Sequence, residues 1–513
     1  MKELNLGKNT ALSILNKVSG VLLGIFTARF LILGLSDNDY GFYVFLWKIS
    51  STLFLTDLGL GLAAQKKTTE YLCHKDSNQL SNEVSSIFFF YLFIFITFTL
   101  TNYFFIAPNL TSFFKLENTT TPTEYYEMTF FLASSVIAFN FSISFFREIM
   151  AGLHKLYLVE FFEFIYKILM FFSILTFYWT NSSLRFVAIL VPLNQTFLFL
   201  FIAFLVKGKV KNISISPFRF SLRVLRDILK TSIHYYFQAV MHIVNNNIAH
   251  IVIGSVIGSV TVGMYQIAMK AQEIMLNLNE FYQKNILPST SYLHTQNRIE
   301  ELRALILSSN KLIFFTATVS FGAFYLLCEP LLFIWLKVDN TTIFLTAKML
   351  ILETYLKIIL SSINRNYLIM SDDEKIMSKY ALIEIICNTL ASIFIIKYYG
   401  IVHYAFVKAG LTLIIHSYGA KRLALKKLNI SIWKYISHCY ARTLAVLPLP
   451  IGLLLYLTYQ IKLEDWTLVR FISISITYGF VFLLLGLAIV LNKKEKLALR
   501  KKFPKLKFLF FIF

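Results

Sequence analysis

The chain has 513 residues, of which 57% are hydrophobic and only 15% charged, with a formal net charge of +21. Soluble domains carry about 25% charged residues, so a mean hydropathy of +0.64 excludes a soluble multidomain protein and a disordered basic one, and makes lipid the solvent. The four cysteines (Cys73, Cys328, Cys387 and Cys439) are scattered with no CxxC, which excludes a disulfide scaffold and a zinc ribbon; Cys73-His74, a pair without further ligands, reads as a loop, and neither a metal nor another cofactor is expected.

A bilayer core takes about 20 apolar residues in a helix. Segments of that kind run near 10–34, 40–64, 85–107, 127–149, 157–179 and 185–206, and resume near 231–254, 261–288, 311–336, 345–370, 379–397, 401–420, 437–458 and 467–491. They predict an all-α, polytopic membrane protein of about fourteen transmembrane helices. The short alternating strands of a membrane barrel are lacking. The first apolar stretch is too long for a cleavable signal peptide and leads into another span.

Orientation follows from lysine and arginine in the loops. With the N-terminus in the cytoplasm, 32 of the 49 basic residues fall in segments on that side and five (Lys115, Arg185, Lys337, Lys397, Lys462) in the opposite loops. Both termini are therefore expected in the cytoplasm. The charge needs no nucleic acid to balance it, and the remaining 12 basic residues lie within spans. The longest inside loop, 207–230, alternates basic and apolar residues. A helix lying on the anionic inner leaflet and a plain positive-inside linker explain it equally well.

An internal repeat divides the chain. Gly41-Phe-Tyr43 with Lys48 and Gly263-Met-Tyr265 with Lys270 share the pattern G-x-Y-x-x-x-x-K, offset by 222 positions. Each copy opens the second helix of a six-helix half. The expected organisation is an N-lobe over 1–206, a basic linker over 207–230, a C-lobe over 231–420, two further helices over 421–491 and a basic tail over 492–513. Parallel repeats of this kind place the substrate site in a central cavity and work by alternating access.

Polar stripes mark where such a site is expected. Gln266, Lys270, Glu273, Asn277, Glu280 and Lys284 are spaced 4, 3, 4, 3 and 4, so they lie within about 40° of one line on a helix. A charge at the bilayer centre costs about 2.5–3.5 kcal/mol. Either the stripe lines a wet cavity, or Lys270 with Glu273 and Glu280 with Lys284 soften the cost as internal pairs; pairing alone does not explain six polar residues on one face. His234, Gln238, His242 and Asn245 form a second stripe, whose histidines suit proton coupling or plain hydrogen-bonded packing. In the tenth span Thr346, Glu353, Lys357, Ser361 and Asn364 share a face, and Glu353 and Lys357, four apart, are placed to pair with each other. The first lobe offers Lys17, Lys48 and Asp57. Lys48 and Lys270, equivalent by the repeat, suit an anionic substrate such as a phosphate or pyrophosphate. Asp57, before Gly59 and Gly61, fits a coupling carboxylate, though capping or a nearby cation is the simpler use. The candidate substrate-binding residues are thus Lys17, Lys48, Gln238, Asn245, Gln266, Lys270, Asn277 and Lys357, and the candidate ion-coupling residues Asp57, His234, His242, Glu273 and Glu353.

Residues 28–64, ARFLILGLSDNDYGFYVFLWKISSTLFLTDLGLGLAA, and the stretch IGSVIGSVTVGMYQIAMKAQEI followed by Leu287-Pro288-Ser289 resemble the O-antigen flippases of the multidrug/oligosaccharidyl-lipid/polysaccharide (MOP) superfamily. The last two spans are similar to those of the fourteen-helix lipid II flippases. The resemblance implies a MATE-like fold in the bacterial inner membrane. It also implies translocation of an undecaprenyl-pyrophosphate-linked oligosaccharide of lipopolysaccharide or another surface polysaccharide, from the cytoplasmic to the outer leaflet. A polysaccharide polymerase and its chain-length machinery are the partners it implies. Ion coupling is expected on the same ground alone.

Other functions fit less well. A polysaccharide polymerase or glycosyltransferase needs a sizeable outside domain, and the longest outside loop, 108–126, is short. Asp37-Asn38-Asp39 mimics a sugar-nucleotide DxD motif but sits on an outer turn. Walker A, GxSxG and HExxH patterns are lacking, so ATP-driven transport within the chain is not expected, and with so short an outside loop a transporter is expected rather than an enzyme. A drug/cation antiporter of the same superfamily would use central carboxylates where lysines stand here; a lipid II-type flippase differs only in cargo.

Overall fold

A computed structural model of the protein describes residues 6–74, 76–116, 121–209, 214–370, 374–459, 461–492 and 496. Among them every regular element is a helix, as a chain in lipid requires when each backbone group must be satisfied within its own segment. Contacts divide the chain into two compact units, Met1–Gly263 and Met264–Phe513.

The first unit contains α1 (Leu6–Gly34), α2 (Asp37–Ser51), α3 (Leu60–His74), α4 (Ser77–Thr101), the short α5 (Leu110–Phe113), α6 (Thr123–Gly152), α7 (Leu156–Thr180), α8 (Leu184–Lys209) and α9 (Leu222–Val256). Helix α1 packs on α7, α6 on α8, and α3 and α4 on α6, while α9 packs on α2, α3 and α4. The core between them is apolar and aromatic, with Leu60, Ile87, Tyr91, Phe141, Phe145 and Ile149 almost fully buried. The expected second span is broken. A 3-10 turn at Thr52–Thr56 and positive φ at Leu58 and Gly59 end α2 and restart the chain as α3. Cys73 and His74 fall in the last turn of α3, which corrects the loop expected there; their side chains lie outside the described residues.

The turn before α2 carries its own structural bonds. Ser36 caps α2 by accepting from the Asp39 N–H at 3.2 Å, and Asp39 accepts the Tyr126 hydroxyl at 2.8 Å. Asn38 takes the Ser259 hydroxyl. The DxD mimic is therefore a helix start held by its neighbours. Gly41 follows one turn on, where a Cβ would stand 1.8 Å from the Ser259 carbonyl oxygen; only glycine allows that approach.

The 207–230 segment is not one surface helix. Beyond α8 the chain resumes in an extended form whose backbone is pinned to the serines of α4. The Ser214 N–H meets Ser81 Oγ at 3.2 Å, Ser216 N–H meets Ser85 Oγ at 3.3 Å, and Ser221 N–H meets Ser86 Oγ at 3.1 Å. A 3-10 turn at Pro217–Arg219 intervenes, and α9 starts at Leu222. Lys67 of α3 bridges Glu70 at 3.0 Å and Glu83 of α4 at 3.3 Å. Burial pulls the Lys67 ammonium down, and the Glu70 and Glu83 carboxylates more than reverse it, leaving it above the usual lysine value.

Helix α10 (Ser259–Thr295) starts at the end of the first unit and runs into the second. There follow α11 (Ile299–Leu326), α12 (Cys328–Leu336), α13 (Thr341–Met370), α14 (Glu374–His416), α15 (Arg422–Lys427), α16 (Ile432–Cys439), α17 (Ala441–Val446), α18 (Pro448–Tyr459) and α19 (Leu468–Leu485). Helix α14 joins two expected spans. Gly400, at φ 80° and ψ −176°, breaks it between them, where an L side chain would be strained. A second core gathers Leu327, Val446, Leu454, Trp466, Tyr478 and Phe482.

Eight helical stretches among the described residues are long and apolar enough to cross a membrane. The other expected spans fall on α2, α7, α9, α10 and α13, which carry more polar and charged side chains. Large apolar side chains such as Phe93, Trp179, Phe204, Phe394 and Tyr456 stand exposed on these helices, as lipid-facing residues do.

Candidate functional site

Each unit gathers a network of ionisable side chains between its helices, half-buried in the first unit and more deeply buried around Glu353 in the second. Lipid cannot supply hydrogen bonds, so every member must find its partner within the protein.

In the first unit the network joins α1, α6 and α7. Buried Asn16 accepts the Lys167 ammonium at its Oδ1, 2.5 Å, and at its backbone oxygen, 2.8 Å. Its Nδ2 donates to Glu160 at 2.6 Å and Glu163 at 3.1 Å. Glu163 in turn meets Arg147 of α6 at 3.0 Å, and Arg147 meets Glu148 at 2.8 Å. A side chain at Gly20 would stand 2.8 Å from Lys167 Nζ, so the glycine leaves the ammonium its place. None of the five charged members was picked out from sequence. Glu160, Glu163 and Lys167 are spaced 3 and 4, one helix face, and that spacing was the available signal.

Asp57 lies near this network. Its carboxylate accepts the N–H of Gly59 at 3.1 Å and of Gly61 at 3.2 Å, and also the Tyr91 hydroxyl. It caps the start of α3, and Glu148 Cγ stands 3.4 Å from where a Gly61 Cβ would be. Lys48 is half-buried on α2, with its backbone oxygen and Ser51 Oγ held by Asn247 Nδ2 of α9 at 3.3 and 2.7 Å. Lys17 is exposed on α1, and Asn245 is half-buried on α9. His234, Gln238 and His242 belong to α9, but their side chains lie outside the described residues.

In the second unit α10, α13 and α14 build the network. Glu353, only 2% exposed, accepts Gln272 Nε2 at 2.9 Å on one oxygen and Thr412 Oγ1 at 3.3 Å on the other. The buried Lys408 ammonium is in electrostatic contact with Glu353 and Glu384. Lys357 reaches Glu384 at 3.2 Å, and His416 Nε2 stands 3.5 Å from the second Glu384 oxygen. Glu353 and Lys357 therefore do not pair with each other: they point to different partners on α10 and α14. Gln272, Glu384, Lys408 and His416 were missed in the sequence. Glu384, Asn388 and Ser392, all buried, repeat every four residues, which was a legible sign of a polar face.

The stripe on α10 carries bonds of its own. Lys270 Nζ pairs with Glu273 at 2.8 Å, and Gln266 Nε2 reaches the same carboxylate at 3.3 Å. Gln266 is buried, Lys270 and Glu273 are half-buried and Asn277 is exposed; the side chains of Glu280 and Lys284 lie outside the described residues. Among the described residues no group of three His, Cys, Asp or Glu is placed to hold a metal ion.

Long apolar helices with ionisable groups paired inside them define a multi-pass membrane protein. Its fold is that of the MOP superfamily. A structure of the lipid II flippase MurJ in an inward closed conformation matches with a TM-score of 0.68 at 16% identity, covering 92% of this chain and 97% of that one. A multidrug resistance MATE family transporter matches in an inward-facing conformation, with a TM-score of 0.61 at 14% identity over 80% of this chain and 95% of that one. An outward-facing MATE structure follows at 0.55 and 15% identity, over 84% and 99%. No protein of curated function matches the chain. The chain belongs to the polysaccharide biosynthesis protein family, whose sequence profile matches residues 28–335.

Proposed function

We propose that the protein is a flippase that carries an undecaprenyl-pyrophosphate-linked oligosaccharide repeat unit from the cytoplasmic to the outer leaflet of a bacterial inner membrane. Both termini are then cytoplasmic, as the loop charges require. Membership of the polysaccharide biosynthesis family over residues 28–335, in a chain folded like MOP transporters, is the observation that carries this reading. Transport is by alternating access, without a covalent step on the substrate.

Lys48 in the first unit and Lys270 in the second are the proposed contacts for the pyrophosphate, since each is a half-buried cation in a membrane helix. Gln238, Asn245, Gln266 and Asn277 supply amides for sugar hydroxyls, with Lys17 and Lys357 as further cations. Asp57, Glu273, Glu353, His234 and His242 are the proposed coupling groups, and Glu353 is the most buried of those whose side chains are described.

The test is a cell lacking the protein. It is expected to lose surface polysaccharide and to accumulate lipid-linked repeat units on the cytoplasmic face. Lys48→Ala and Lys270→Ala, each at matched protein level, are expected to lower surface polysaccharide several-fold. Full polysaccharide in the deletion strain overturns the function, and full activity in both variants overturns the lysine roles.

A further inference from the structure

A small basic pocket lies in the second unit, lined by none of the residues of the network around Glu353. Lys311 of α11, Lys434, Ser437 and His438 of α16, Arg442 of α17 and Asn492 beyond α19 line a cavity of about 170 Å³. Lys311 is only 1% exposed, whereas Lys434, Ser437, His438 and Arg442 are open to the surroundings. None of the described lining residues is acidic. Arg442 donates to the Asn492 side chain, which ties α17 to the segment that follows α19 and fixes the guanidinium at the rim.

The form of the pocket points to its ligand. A buried ammonium behind a rim of lysine, histidine and arginine gives a concentrated positive field, and a guanidinium with a lysine beside it is suited to phosphate oxygens. The volume corresponds to roughly five or six water molecules, enough for a phosphate group and too little for an oligosaccharide. Helix α16 begins with Ile432 and Trp433, 56% and 79% exposed, immediately before Lys434. An exposed tryptophan next to lysine is the pattern of a helix lying at headgroup depth. Basic pockets between membrane helices at that depth receive anionic headgroups.

We propose that this pocket holds the phosphate of an anionic phospholipid, with the acyl chains lying against the apolar start of α16. The proposal concerns a bilayer lipid rather than the translocated cargo and does not rest on the flippase reading.

The test uses the full-length protein purified in phosphatidylcholine-containing micelles, titrated with phosphatidylglycerol, with further phosphatidylcholine and with inorganic phosphate. Binding is read by native mass spectrometry and by the shift in unfolding temperature. Wild type is expected to bind phosphatidylglycerol at least fivefold more tightly than phosphatidylcholine. Lys434→Ala/Arg442→Ala is expected to lose that preference while unfolding at the wild-type temperature in phosphatidylcholine alone. Ser437→Glu, which sets a carboxylate in the pocket without removing a cation, is expected to do the same and decides the matter if the double variant unfolds. Equal phosphatidylglycerol affinity in wild type and the folded variants overturns the site. Inorganic phosphate bound by wild type as tightly as phosphatidylglycerol assigns the pocket to a soluble phosphate and overturns the lipid.

Discussion

Lys357 Nζ lies 3.2 Å from Glu384 Oε1, an ion pair that crosses from α13 to α14. His416 approaches the other oxygen of the same carboxylate at 3.5 Å, so Glu384 has a basic group at each oxygen. Glu353, one turn earlier, instead meets Gln272, Thr412 and the Lys408 ammonium. Two charges four residues apart on one helix thus serve two neighbouring helices.

Removing one member of this pair strands the other in a poorly solvated place. Glu384→Ala is expected to destabilise the protein by roughly 2 kcal/mol, less than a fully buried pair would cost because the Lys357 side chain keeps 31% exposure. Thermal unfolding in detergent is the measurement, and Glu384→Ala/Lys357→Met should recover part of the loss. A double variant no more stable than the single one would show that the pair does not hold α13 to α14.

The long apolar helices were legible because a bilayer demands apolar runs of fixed length, whatever packs against them. What the sequence concealed was non-local. Lys408 and Glu384 look like isolated charges along the chain, and they become intelligible only when α13 and α14 bring Glu353 and Lys357 beside them. Glu160, Glu163 and Lys167 were visible as one helix face, yet their meaning rests on Asn16 of α1 and Arg147 of α6. The break between α2 and α3 escaped the hydropathy pattern because Leu53 and Leu58 keep the stretch apolar, while Asp57 and the positive φ of the two residues after it redirect the backbone.

Lys408 is buried to 7% exposure and leans electrostatically on Glu353. Glu353→Gln keeps a group of the same shape beside Gln272 and Thr412 but removes the charge. Its abundance in the membrane is expected to fall, since Lys408 is left with Glu384 alone as a nearby carboxylate. Glu353→Gln/Lys408→Met, which removes both charges, is expected to restore abundance. Under the proposed coupling role its surface polysaccharide stays low, and quantitative immunoblots alongside polysaccharide assays separate the two effects.

Gly41 and Gly24 make a matched pair. A Cβ at Gly41 meets the Ser259 carbonyl oxygen at 1.8 Å, whereas one at Gly24 meets nothing within 4 Å. Gly41→Ala must push α2 away from the start of α10, and an overpacked site of this sort costs about 1–3 kcal/mol. Gly24→Ala is expected to be neutral or stabilising by up to about 1 kcal/mol, as alanine favours the helix interior. Equal unfolding temperatures for the two variants would contradict the close approach at Gly41.

Asp57 joins a helix start to a neighbouring helix through Tyr91, and the two contributions are separable. Asp57→Ala leaves the Gly59 and Gly61 N–H groups without their carboxylate and the Tyr91 hydroxyl without its acceptor. The expected loss is about 2 kcal/mol, a cap together with a hydrogen bond to a charged group. Tyr91→Phe removes only the hydroxyl and should cost about 1 kcal/mol, with the ring still packed against Phe141 and Phe145. Because the hydroxyl bond is lost in both single variants, Asp57→Ala/Tyr91→Phe should unfold at nearly the temperature of Asp57→Ala alone. Strict additivity in that cycle would mean that the hydroxyl and the carboxylate do not interact, and that Asp57 serves only as the cap of α3.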